Sequence, residues 1–436
     1  MKKSIQIVIA FLCLTTSVWA QKPCKEVIGY WADWVNNSVN YSKYTILNYA
    51  FVQPQQDGSI GSPDATKLKN LVSAAHQNGT KVMLSIGGWT WSNNFPTIAN
   101  SAAARQKFAS ACAGFISSYN LDGVDIDWEY PCADNGGTPA DRVNFTLLMQ
   151  AIRNAIGGKL LSACFSPAQF KMDFIEWDKV SQILDMLNMM TYDMTGSWDK
   201  IAYHNSPLFP TDGGDPTLNI DAVVNYLIVK YNVPRNKINI GAPFYGQGMI
   251  GVSQLFGPMG GGDGTPTYAA IQGIKSNYTE YWDAKAQVPY LLNTSTKKYI
   301  SFDNPKSIEL KGQWVVDNRT RGVIVWETSG DGAGTPLANA LAKGLCNPIS
   351  TTSIKEEQAN QPLIYPNPTR NLLNVIVKDG GIKNQLSVLN TIGQEVFAKQ
   401  FNEGTFSFDM ESFDNGLYFV RITNENGSST QKILKK

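Results

Sequence analysis

At 436 residues, with 43% hydrophobic and 11% aromatic residues, the chain is longer than one domain usually runs and has the composition of a globular protein. Its 37 basic and 36 acidic residues leave no charge excess to steer it towards nucleic acid or an anionic membrane. Only two histidines, His76 and His204, are present, which excludes most histidine-based triads and zinc sites, so neither metal nor cofactor is expected.

In chain order, Lys2 and Lys3 precede an apolar run over 5–14, and Val18-Trp19-Ala20 offers a cleavage site before Gln21. This predicts a signal peptide over 1–20; the run is too short to span a bilayer, and no integral membrane segment is expected in the mature chain. Apolar, β-branched runs then recur at 27–30, 45–51, 81–86, 123–128, 160–165, 185–192, 238–244 and 322–326, with helical patterns such as 64–77, 102–118, 140–156 and 220–231 between them. Alternation of this kind predicts parallel strands with helical crossovers, and eight units predict an α/β fold, a (β/α)8 TIM barrel over 21–346. Cys24 precedes the first strand and Cys346 follows the last helix, so this pair can meet at the bottom of a closed barrel.

The connection over 246–304 is too long for a plain loop and should form a small α+β insertion. Its aromatics, among them Tyr268, Tyr281, Trp282, Tyr290 and Tyr299, would build a small core or line a sugar cleft. Residues 347–362 read as a polar linker. Beyond it, short alternating runs at 373–377, 386–389, 405–408 and 417–422, separated by Gly, Asn and Asp, predict a small all-β, sandwich-like domain over 363–436.

The densest chemistry lies in Leu121-Asp122-Gly123-Val124-Asp125-Ile126-Asp127-Trp128-Glu129. On a strand, Asp125, Asp127 and Glu129 share one face and Val124, Ile126 and Trp128 the other. A solvated acidic edge is one reading; the apolar opposite face favours a buried strand, where crowded carboxylates raise one another's pKa and retain a proton. Asp122 falls outside the alternation and is assigned to the turn entering the strand. Other strand ends carry Ser85-Ile86-Gly87-Gly88-Trp89, Met190-Thr191-Tyr192-Asp193, Phe244-Tyr245 and Trp326-Glu327. Active sites of such barrels lie at these ends. Each tryptophan alone is as readily a core residue, but aromatic faces and paired acids together suit a sugar.

The stretch Asp122 to Glu129 resembles the DxxDxDxE signature of glycoside hydrolase family 18, the chitinases, with Ser85 to Gly88 resembling its SxGG motif and Met190 to Asp193 its strand-six motif. The resemblance implies a secreted enzyme cleaving β-1,4 linkages of chitin or N-acetylglucosamine oligosaccharides, with the substrate's own N-acetyl oxygen as nucleophile. It implies Glu129 as acid and base, Asp127 as the orienter of the acetamido group, Asp125 as its support, and Tyr192 and Asp193 as helpers at the same sugar. Trp326, Trp89, Trp198, Met190, Tyr245, Tyr130, Phe51, Tyr30 and Ser85 would bind substrate, Tyr30 and Ser85 also partnering Asp125. An endo-β-N-acetylglucosaminidase acting on N-glycans and an inactive chitin-binding lectin of the same fold are the alternatives.

Residues 363–436 resemble the type A sorting domain of the type IX secretion system, through Ile364-Tyr365-Pro366-Asn367-Pro368, Asn415-Gly416-Leu417-Tyr418 and the basic end Gln431 to Lys436. That implies secretion machinery as a partner and a secreted or cell-surface location; a sugar-binding module is the alternative.

Overall fold

The computed structural model describes residues 23–35, 38–346, 362–365, 367–377, 383–391, 393–402, 404–424 and 427–436. The expected signal peptide, and all but residue 362 of the expected linker, lie outside the described residues. The chain divides into two compact units, 1–348 and 349–436.

In the first unit, strands β1 (Glu26–Ala32), β2 (Ile46–Val52), β3 (Lys81–Gly87), β4 (Gly123–Asp127), β5 (Leu160–Phe165), β6 (Met186–Met189) and β7 (Ile238–Pro243) run parallel. An antiparallel insertion follows: β8 (Gln247–Ile250), β9 (Gly261–Gly262), β10 (Thr279–Asp283), β11 (Val288–Asn293) and β12 (Lys298–Ser301). Then β13 (Gly322–Trp326) returns between β7 and β1 and closes an eight-stranded barrel. The period-2 alternation separates two cores. Outward residues such as Leu47, Leu84, Val124, Ile126, Leu161, Ile240 and Val325 pack against the helices, while Ile28, Ile46, Met83, Met186 and Ile324 fill the barrel.

The helices begin and end where side chains satisfy the free backbone groups. Asp64 accepts from the N–H groups of Thr66 and Lys67 and starts Ala65–Gln77, and Ser101 starts Ala102–Tyr119. Asn120 and Asn232, both at φ 54°, end their helices in the left-handed conformation that asparagine tolerates.

Strand six is shorter than the expected 185–192. After Met189 the chain coils, Tyr192 N–H donating to the Met190 carbonyl at 2.7 Å. The Thr191 hydroxyl replaces the lost ladder, accepting from Gly241 N–H (2.7 Å) and donating to the Gly241 carbonyl (3.1 Å). Met190, Tyr192 and Asp193 are thereby released from the sheet to face its open end.

Cys24 and Cys346 are joined in a disulfide with Cα atoms 5.0 Å apart; Cys112, Cys132 and Cys164 are free. It links the two ends of the barrel, so it restricts almost the whole unfolded unit. Cys346→Ser is expected to destabilise the barrel by about 2–4 kcal/mol, read as a lower urea midpoint; an unchanged midpoint would refute it.

The second unit holds two antiparallel sheets. Strands β14 (Leu363–Tyr365), β15 (Leu372–Ile376) and β18 (Thr405–Asp409) form one, and β16 (Asn384–Leu389), β17 (Glu395–Phe401), β19 (Gly416–Asn424) and β20 (Gly427–Lys435) the other. Leu373, Val375 and Phe408 of the first share a core with Leu386, Val388, Val420 and Ile433 of the second. Among the described residues no helix is long and apolar enough to cross a membrane.

Candidate active site

The carboxylates of β4 climb from the barrel interior to its mouth. Asp125 is fully buried and level with Ser85 on β3 and Ser162 on β5. It accepts hydrogen bonds from Ser85 (2.7 Å), Ser162 (2.5 Å), Tyr30 (3.0 Å) and Asn188 (3.1 Å). Burial raises its pKa, and these four donors partly restore the anion. The Cys164 sulfur lies 2.8 Å from the Tyr30 hydroxyl and 3.8 Å from Asp125 Oδ2. Asp122, at the entrance to β4, receives the Val82 N–H at 2.8 Å and lies 2.9 Å from His76 Nε2, a structural setting.

Asp127 is 3% exposed, and its Oδ1 has no protein partner among the described residues. Burial, then the charges of Glu129 and Asp125, hold its carboxyl far above the usual range. Trp128 points the other way and stacks on Phe95 at 5.3 Å. The Gly87-Gly88 turn lies directly against this strand end. A Cβ on Gly87, at φ 114°, would come within 2.1 Å of the Asp127 carbonyl, which accepts from Gly88 N–H at 2.8 Å.

Glu129 is gripped by its backbone: its N–H donates to Ser92 Oγ (2.8 Å) and its carbonyl accepts from Asn135 Nδ2 (2.7 Å). Its carboxyl is pushed up to about 7, chiefly by burial and further by Asp193 and Asp134, against the hydrogen bond of Tyr130 and the charge of Lys171. Lys171 pairs with Asp134 and sits 4.2 Å above the Tyr130 ring.

Just past β6, Asp193 receives Tyr245 OH and Gln247 Nε2, both at 2.6 Å, on one oxygen. Burial nevertheless raises its pKa. Tyr192 packs edge-on to Tyr245 at 6.1 Å, above Gly241, where any Cβ would come within 2.7 Å of its ring.

A cleft of about 1050 Å3 opens over these groups. Of the expected residues it brings together Glu129, Asp127, Tyr192, Asp193, Trp326, Trp89, Trp198, Met190, Tyr130, Phe51 and Tyr30. Asp125, Ser85 and Tyr245 do not line it: Asp125 and Ser85 lie beneath, fully buried against each other, and Tyr245 acts on Asp193. Trp326 stacks on Phe51 at 5.5 Å, and Trp34, which lies outside the strand-end motifs, continues the row at 6.1 Å from Phe51. Trp34, Trp89, Phe170 and Trp198 are 57, 60, 62 and 65% exposed, apolar faces left in water inside a cleft rather than used as core.

The insertion contributes Gln247 and Thr265 to the cleft but none of its expected aromatics. Tyr268 and Tyr299 are buried, and Tyr281 stacks on Tyr290 at 5.2 Å. Among the described residues no three His, Cys, Asp or Glu side chains are grouped to hold a metal ion.

The family "Glycosyl hydrolases family 18" matches residues 26–331, and "Secretion system C-terminal sorting domain" matches 363–436. Chitinase A1 of Niallia circulans is 31% identical across 75% of this chain, which spans 60% of that protein. Chitinase 1 of Aphanocladium album is 34% identical across 75% of this chain and 83% of its own length. Among solved structures, a glycoside hydrolase family 18 N-acetylglucosaminidase from Paenibacillus barengoltzii superposes with a TM-score of 0.68 at 30% identity, covering 74% of this chain and 100% of that one.

Proposed function

Since the chain belongs to glycosyl hydrolases family 18, we propose that it hydrolyses the β-1,4 linkages of chitin by substrate-assisted, retaining catalysis. The observation that carries this reading is a carboxyl held at about pH 7, Glu129, in the same cleft as the partnerless Oδ1 of Asp127. Chitin is favoured by the names of the two chitinases reported above.

Neutral Glu129 gives its proton to the glycosidic oxygen as the C1–O bond breaks. The acetamido oxygen of the same sugar bonds to C1 from the opposite face, forming an oxazolinium ion. Asp127 passes the proton that burial holds on it to Asp125 beneath, accepts the acetamido N–H on Oδ1 and balances the positive charge, and the Tyr192 hydroxyl donates to the acetamido oxygen. The Glu129 carboxylate then takes a proton from water, which attacks C1 and reopens the ring, so configuration at C1 is retained. Asp125, pinned by four donors, holds the row from below. Trp326, Phe51 and Trp34 would carry one stretch of sugar, with Trp89 and Trp198 as further platforms.

We assign residues 21–346 to the catalytic domain. Residues 363–436 would act as an export address read by the type IX machinery, after a signal peptide over 1–20.

The test is hydrolysis of chitin oligomers alongside a high-mannose glycoprotein, with products followed by proton NMR. Cleavage of the oligomers alone, with the β-anomer appearing first, is expected. Early α-anomer would refute substrate-assisted retention, and release of the N-glycan would point to the endo-β-N-acetylglucosaminidase alternative.

A further inference from the structure

Asp193 is a non-glycine residue at φ 53°, a left-handed conformation that needs outside support. The support comes from Asn205, 1% exposed, whose Oδ1 accepts the Asp193 N–H at 2.9 Å and whose carbonyl accepts the Met194 N–H at 3.1 Å. Because the backbone N–H requires an acceptor, the Asn205 amide oxygen must face Asp193. Its NH2 is left buried with no partner among the described residues, a cost that packing alone does not explain.

Asn205 is itself held by the insertion. Its N–H donates to Ser301 Oγ at 2.7 Å. The two residues before it are held in the same way: the Tyr203 carbonyl accepts from Tyr299 OH at 3.0 Å, and His204 Nε2 lies 3.0 Å from Asp283 Oδ2. Ser301 of β12 pairs in register with Gln247 of β8, and Gln247 is the residue that donates to the Asp193 carboxylate. One rung of this small sheet therefore reaches Asp193 twice, once at its backbone through Ser301 and Asn205 and once at its side chain through Gln247.

We infer that Asn205 is a positioning residue through which the insertion holds Asp193 beside Glu129, an inference that rests on the function proposed above. The insertion then serves the chemistry mechanically, while adding little to the cleft wall. Tyr130, Lys171, Asp134, Asp127, Tyr192, Cys164 and Asp193 face Glu129, and Asp193 is the charge this contact keeps in place. Losing it would lower the Glu129 pKa and make the acid release its proton earlier.

The test uses the full chain carrying Asn205→Ala, with Asp193→Asn and the double variant for comparison. For Asn205→Ala we expect kcat to fall between about tenfold and about a hundredfold, the range a misplaced group costs, with KM within about twofold. The alkaline limb of the rate profile should move to lower pH, as in Asp193→Asn, and the double variant should move no further. A wild-type limb, or a shift that adds to that of Asp193→Asn, overturns the inference. If Asn205→Ala does not fold, Ser301→Ala carries the same test, with a smaller shift in the same direction expected and no shift overturning it. Titration of the Glu129 carboxyl by 13C NMR, assigned with Glu129→Gln, reads the same shift without turnover. A protein inactive on chitin therefore fails the proposed function while the titration still decides the role of Asn205.

Discussion

Glu129→Gln is expected to leave a folded protein that has lost hydrolysis of chitin oligomers by a factor of about a hundred or more, the usual worth of a general acid. The substitution keeps the shape of the side chain and the backbone bonds to Ser92 and Asn135, removing only the transferable proton. A variant keeping a tenth of wild-type turnover would sink the assignment. A second readout is stability. The Glu129 carboxyl titrates at about 4.3 in an unfolded chain and is pushed up to about 7 in the fold. Between those values the native state binds more protons than the unfolded one, so stability falls as pH rises across the window. Glutamine has no such titration. The variant should melt above wild type at pH 8, and the gap should close near pH 4.

Asp127→Asn should cost about a hundredfold to a thousandfold in kcat, the scale of losing one preorganised electrostatic partner, with little change in KM. The isosteric amide fills the same space but no longer brings a carboxylate to an oxazolinium ion. The loss should fall on the step that develops positive charge rather than on binding. Kinetics on a chitotriose with a fluorogenic leaving group would separate the two. A loss below about tenfold, or one confined to KM, would remove Asp127 from its proposed role.

Much of this was legible in the sequence because burial follows a period of two. The Asp125-Asp127-Glu129 row points inward and Trp128 outward, as alternation demands. The same rule carries a further signal. Ser162 and Cys164 alternate with apolar neighbours on β5, and Asn188 lies between Leu187 and Met189 on β6; these polar breaks mark the residues that surround Asp125.

Strand six ends earlier than its sequence suggests because Met190 to Tyr192 keep a largely apolar texture after leaving the ladder, and texture does not reveal that Thr191 has taken over its bonds. Asn205, Gln247, Lys171 and Asp134 were not legible at all. They reach the site from loops, from the short helix Gln169–Met172 or from the insertion, and their contacts depend on where the chain returns in space.

The exposed tryptophans have an optical consequence. Trp128 and Trp177 are sealed in the core and should emit at a constant, blue-shifted wavelength, while Trp34, Trp89 and Trp198 stand mostly in water. A sugar ring laid on such an indole displaces that water and changes its emission. The molecule therefore carries its own lamp at the cleft, and with Glu129 disabled the occupancy of an unlabelled chain can be followed by fluorescence alone.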